Sequence, residues 1–338
     1  MIRGIARHPW VVSLNSLFDE FDEPAPQAAR LAPALKSLAE RGVYFGTSSW
    51  KYDGWLGSIY SPDRYLTRGK LSHKKFESEC LREYAATFPV VGGDFSFYQF
   101  PTAEFWAQLF SQVPPHFGFG LKVPEEITVL RWPGHARYGV RAGKENEHFL
   151  DASLFERAFT KLLEPHRQHV PVMMFEFGTF SSKEMPAQQF MERLDRFLES
   201  LPGGWNYGVE IRNKEFLQPK YFAMLARHNV AHVFNAWTKM PSLADQIAIP
   251  EAFTANFTVV RALLQKGRTY EQAVKMFEPY KEVQQPDHST REALKNLAEE
   301  SLQIGRRAHV FLNNRLEGNS PGTIEAVVSA IGESRKTT

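Results

Sequence analysis

One cysteine, Cys80, is all the thiol in this chain of 338 residues. A disulfide framework and a thiolate metal cluster are excluded by that count. Cys80 lies in the helical stretch FESECLREYAA with no motif around it, and reads as a half-buried helix residue. An excess of one charge is lacking too: 40 Lys and Arg against 38 Asp and Glu leave a formal +2, too little to argue for nucleic acid on bulk charge. There is no apolar run long enough to span a membrane and no leader pattern, so no membrane contact is expected and the cytoplasm is the expected compartment. The segment after Phe45 is Gly-Thr-Ser-Ser-Trp, without the glycine spacing of a pyrophosphate turn. No cofactor is expected.

What the chain has is a recurrence. Eight short apolar runs each end in polar or charged residues: VYFGTSSW from Val43, VVGGDFSFY from Val90, FGFGLKV from Phe117, VMMFEF from Val172, YGVEIR from Tyr207, VAHVFNAW from Val230, FTVVRAL from Phe257 and AHVFLNN from Ala308. Such runs suit the buried strands of a parallel sheet covered by helices. Most intervening stretches carry a helical period. In SLFERAFTKLL, Leu154, Phe155, Ala158, Phe159, Leu162 and Leu163 fall on one face. Eight alternating units without a dinucleotide fingerprint predict an α/β fold, a (β/α)8 TIM-type barrel over residues 43–338.

Residues 1–42 stand outside that pattern and read as an amino-terminal extension that packs on or caps the barrel's bottom, with a linker over 19–27. An insertion over 266–290 follows the seventh strand and carries Tyr270, Phe277 and Tyr280. It lies on a βα connection, which in barrels forms the active face, and is a candidate lid.

Alternation along each strand sorts side chains between the barrel interior and the helix layer. It places Asp94, Ser96 and Tyr98 on one side of the second strand, and Glu210 with Arg212 on one side of the fifth. Lys122, Glu176, Asn235, Arg261 and Asn313 sit at the ends of the other strands. An unpaired buried charge costs several kcal/mol, so this inward ring must be mutually paired around a polar cavity. His232 and His309 are read as inward-facing but towards the bottom, and the other histidines from His73 onward fall in helices or loops. With no strand-end histidine, no metal is assigned, although Glu176, Glu210 and Asp94 would suit a hard ion such as Mg²⁺.

The segments GTSSWKYDGW, FSFYQFP, FGFGLKVPEEIT, VEIRNKEF, FNAWTKMPSL and VFLNN resemble the domain of unknown function 72 family, the YecE-like proteins. The resemblance spans about Tyr44 to Ile331 and implies a TIM-type barrel without implying a reaction. The polar strand-end positions it implies are Ser49, Trp50, Asp94, Tyr98, Lys122, Glu210, Arg212, Asn235, Trp237, Arg261, Asn313 and Asn314. The chain departs from many relatives in having Gly92 where they carry Glu, and Glu176-Phe177 where they carry Gln-Pro.

Three functions follow from this ring. The first is an enzyme, a hydrolase or lyase working by acid/base chemistry on a small anionic or sugar-like substrate. Glu176 or Glu210 would be its base, because close carboxylates push their pKa values apart. Lys122, Arg212 and Arg261 would be anion ligands, with Lys122 also weighed as a Schiff-base nucleophile. Trp50, Asp94, Tyr98, Asn235, Trp237, Asn313 and Asn314 would contact substrate. The second is nucleic-acid binding or processing through a first loop that mixes Trp50, Tyr52, Trp55 and Tyr60 with Lys51, Arg64, Arg68, Lys70, Lys74 and Lys75. The third is a non-catalytic binding barrel whose charges neutralise one another.

Overall fold

A computed structural model describes residues 25–334. Eight barrel strands lie in chain order: β1 (Val43–Thr47), β2 (Val90–Gly93), β3 (Gly118–Lys122), β4 (Val172–Phe177), β5 (Tyr207–Ile211), β6 (Ala231–Ala236), β7 (Phe257–Ala262) and β8 (Arg307–Leu312). Each pairs in parallel with its sequence neighbours, and β1 meets β8, which closes the barrel. The (β/α)8 fold read from the sequence is the fold observed.

The outer layer holds α1 (Pro26–Ala39), α2 (His73–Thr87), α3 (Ala103–Phe110), α4 (Ala152–Phe155), α5 (Ala187–Glu199), α6 (Pro219–Arg227), α7 (Leu243–Ile247), α8 (Tyr270–Phe277), α9 (His288–Ile304) and α10 (Ser320–Ser334). In α5 the buried residues Phe190, Met191, Leu194, Phe197 and Leu198 recur at helical spacing and form its inner face. The α9 helix starts on the Asp287 side chain, which accepts from the Thr290 N–H, and stops at Gly305 in the left-handed conformation.

Inside the barrel Val90, Val172, Met174, Ala231, Val233, Phe257, Val259 and Phe311 form one apolar cluster, separate from the larger core between strands and helices. Phe311 fills the interior beside two glycines. A Cβ on Gly120 would overlap its ring, and one on Gly92 would stand 3.7 Å from its Cδ1. Low in the barrel His309 stacks on Tyr44 with ring centroids 5.0 Å apart, and burial lowers its pKa to about 3. His232 does not face inward as its position suggested. It is one residue out of phase with Ala231 and Val233, and its ring meets Tyr221 and Phe222 of α6.

One further expectation is corrected. The described part of the extension is α1, which buries Ala28, Leu31, Leu35 and Leu38 and touches β1, α2 and α10. It therefore joins the helix layer instead of capping the bottom, with Arg30 and Gln27 both holding Glu325 of α10. Residues 1–24, including most of the expected 19–27 linker, lie outside the described residues. The insertion is a wall built around α8. Thr269 and Gln272 close a capping box on that helix, and Ala273, Phe277 and Tyr280 pack with Leu264 against Tyr52 and Trp237.

Candidate active site

The strands deliver their last inward side chains to one end of the barrel. Glu176 and Glu210 are register partners on β4 and β5, and Lys122 ends the neighbouring β3, in register with Met174. Arg261 comes from β7 and Arg212 stands just past β5. Asp94 arrives differently. The β2 strand stops at Gly93 and a 3-10 turn runs over Asp94–Ser96, so alternation does not govern the residues beyond it. Ser96 is buried and donates to the Lys122 carbonyl at 2.6 Å, whereas Tyr98 is 56% exposed with the Arg137 guanidinium 4.0 Å from its ring centre.

These groups form one ion network. Lys122 Nζ lies 3.1 Å from Glu176 Oε2 and 3.7 Å from Asp94 Oδ1. Arg212 Nη2 reaches Glu176 Oε2 at 3.1 Å and Glu210 Oε1 at 2.6 Å. A single Arg261 nitrogen, Nη1, donates to both glutamates, while its Nη2 reaches Asp94 at 3.2 Å. Aromatic faces back the cations: Lys122 Nζ is 3.7 Å from the Phe97 ring centre, and the Arg212 guanidinium is 3.9 Å from that of Trp237.

Burial alone would raise the pKa of Glu176, yet Lys122, Arg212 and Arg261 outweigh it and hold this carboxyl well below the usual range. Burial would likewise lower the pKa of Arg261, and Glu210, Glu176 and Asp94 raise it instead. Three cations thus face three carboxylates. Among the described residues no group of three His, Cys, Asp or Glu is placed to hold a metal ion. Each of the carboxylates weighed for Mg²⁺ is already engaged by Lys or Arg.

Above the network lies a cavity of about 200 Å³, walled by Glu176, Arg212, Trp237, Arg261, Asn313 and Arg315 among others. Asp94, Tyr98 and Lys122 also line it. Glu210 does not reach it: its side chain is 0% exposed and sits beneath the arginines it binds. Asn235, in register with Arg261, is fully buried and gives its amide to the Ile211 and Val233 carbonyls. Asn314 is buried as well and accepts from the Ser320 N–H and hydroxyl at the start of α10. Trp50 lines a neighbouring cavity between α2 and α3.

Of the polar lining residues, Arg315 escaped the sequence reading, and Tyr270 was foreseen only as part of the candidate lid. Arg315 lies beyond the last strand, where its backbone N–H and Nη1 each donate to Asn313 Oδ1 at 3.0 Å. Tyr270 of α8 accepts from Arg315 Nη2 at 3.1 Å and stacks under its guanidinium at 4.1 Å. The only signal for Arg315 was a basic residue two positions past an inward asparagine. The first-loop aromatics point the other way: Trp55, Tyr60 and Tyr65 are buried and packed on one another, so they offer no face for stacking bases.

A closed eight-stranded barrel defines a TIM-type protein, and its charged cavity lies at the carboxyl ends of the strands, the face where such barrels carry their sites. The model for the family described as protein of unknown function DUF72 matches residues 44–338, and the chain belongs to that family. The UPF0759 protein YecE of Escherichia coli K12 is 25% identical over 175 residues, covering 52% of this chain and 50% of that protein. The match thus spans about half the length of that curated relative. A DUF72 family protein of Thermotoga maritima MSB8 superposes with a TM-score of 0.56 at 21% identity, covering 87% of this chain and 99% of the other. One from Enterococcus faecalis V583 gives 0.53 at 17%, covering 88% and 96%. At these identities the likeness shows the fold.

Proposed function

We propose that the chain is an acid/base enzyme, a hydrolase or lyase, acting on a small anionic and hydroxylated substrate held in the mouth of the barrel. The observation that carries this reading is the unmatched charge of Arg315. Lys122, Arg212 and Arg261 are balanced by Asp94, Glu176 and Glu210, whereas the partners of Arg315 are the neutral Asn313 and Tyr270. A cation on a cavity wall with only neutral partners favours an incoming anion. Arg212 Nη1, buried and without a hydrogen-bond partner, adds a second donor beside the cavity. The volume of about 200 Å³ is below that of drug-sized sites, about 300–1,000 Å³, and suits a small ligand.

Glu176 is the carboxylate placed to move a proton, since it lines the cavity and Glu210 does not. Held far down by three cations, it is by itself a feeble base. An anionic substrate beside Lys122, Arg212 and Arg261 offsets their pull and raises the proton affinity of Glu176, so that substrate itself prepares the base. Calorimetric titration with sugar phosphates at about pH 5, in buffers of different ionisation enthalpy, tests this. Binding with proton uptake that disappears in Glu176→Gln supports the reading. Failure of every anionic sugar to bind contradicts it.

A further inference from the structure

The Trp50 cavity adjoins the charged one and shares a wall residue with it, Asp94. Its volume is about 350 Å³, and Trp50, Leu81, Phe95, Phe105 and Leu109 give it an apolar lining. Phe95 stands edge-on to Trp50 with centroids 5.8 Å apart and tilts against Phe105 at 5.6 Å. Phe105 is 40% exposed, so part of the aromatic surface is open to a ligand. Gln108 of α3, Gln112 just past its end and Glu77 of α2 form a polar rim. The indole N–H of Trp50 is buried and without a partner, although the residue reaches the cavity wall. The indoles of Trp55 and Trp106 are unpartnered too, but both residues are 0% exposed and lie in the packed core. A buried donor left unpaired costs about 1–3 kcal/mol, and the one beside a cavity is the one a ligand acceptor can satisfy.

Asp94 joins the two spaces. Its side chain is 44% exposed although Arg261 and Lys122 both reach Oδ1. An ionised carboxylate with free lone pairs between an anion site and an aromatic pocket is suited to accept hydrogen bonds from sugar hydroxyls. We infer that the substrate is a phosphorylated glycoside with a flat aglycone, its phosphate on Arg315, its sugar hydroxyls on Asp94 and its aglycone in the Trp50–Phe95–Phe105 cavity. This rests on the proposed small-anion site and extends it by naming what lies next to the anion. Together the two volumes reach the range usual for a whole substrate, about 300–1,000 Å³.

The test is calorimetric titration of the full chain with glucose 6-phosphate and with 4-nitrophenyl glucoside 6-phosphate, in wild type and in Gln108→Trp. Gln108 is an exposed residue of α3 on the cavity rim, so the larger side chain fills the aglycone space from the surface. The aryl compound is expected to bind wild type at least tenfold more tightly than glucose 6-phosphate. In Gln108→Trp that advantage should vanish while glucose 6-phosphate binds as before. Equal affinity of the two ligands for wild type overturns the inference and leaves the small-anion site standing. An aryl advantage that survives Gln108→Trp overturns it as well, because the ring would then lie elsewhere. If neither compound binds, the proposed function fails along with the inference.

Discussion

Glu176 and Glu210 are register partners on adjacent strands, and one nitrogen of Arg261 donates to both. Two carboxylates so placed would ordinarily repel, and one would hold a proton near neutral pH. Here Lys122 and Arg212 join Arg261 on Glu176, and its pKa goes down instead. For Glu176 this is the reverse of the raised acid that two carboxylates at neighbouring strand ends led one to expect. What arises is a charge-matched plate with Arg315 above it.

Glu210 is the anchor of that plate. Replacing it by Gln leaves Arg212 and Arg261 buried with too little negative charge, and breaking a buried pair from one side costs about 3–5 kcal/mol. Urea denaturation of Glu210→Gln should show a loss of that size. A change under about 1 kcal/mol, the value of a surface pair, would mean that the network is not closed as described.

Acid should loosen the same plate. Because the folded pKa of Glu176 lies below its unfolded value, the group contributes stability above the unfolded pKa, about 4.3, and loses it as pH falls through the folded pKa. Stability measured from pH 6 downward should therefore fall more steeply in wild type than in Glu176→Gln below about pH 4.3. Parallel curves for the two proteins would contradict the depressed pKa.

The interior beneath the site depends on a missing side chain. A Cβ on Gly120 would lie 2.8 Å from Phe311 Cε2 and closer still to Cζ, and Phe311 is wholly enclosed. Gly120→Ala should cost about 1–3 kcal/mol through overpacking. Phe311→Ala should cost about 3–5 kcal/mol through the cavity it leaves. If Gly120→Ala proves neutral in thermal denaturation, the ring does not occupy that space.

The fold was legible because eight apolar runs and their helical spacers repeat a single physical unit. Inward parity was legible near the strand ends: Lys122, Glu176, Glu210 and Arg261 all fall on the interior side. It was misassigned for His232 within β6, whose ring meets α6, and it failed again where a strand stopped. Ser96 and Tyr98 were assigned by alternation across a 3-10 turn, and one went into the core while the other went to the surface. Asn235 shows a second limit, since facing inward does not ensure reaching the cavity. Its side chain is spent on backbone carbonyls of β5 and β6, which pair over only two residues. Arg315 comes from the segment after a strand end, where no periodicity constrains a side chain, and Tyr270 opens α8; only the folded loops bring the two together.

The proposed anion site rests on Arg315, a cation at the mouth of the barrel whose partners among the described residues are neutral. Calorimetric titration with inorganic phosphate at fixed ionic strength, in wild type and Arg315→Gln, tests it most directly. The account predicts a single saturable site in wild type and at least about tenfold weaker binding in the variant, with unchanged melting temperature because Arg315 has no buried carboxylate partner. Equal phosphate affinity in the two proteins, or no saturable site in either, would contradict it.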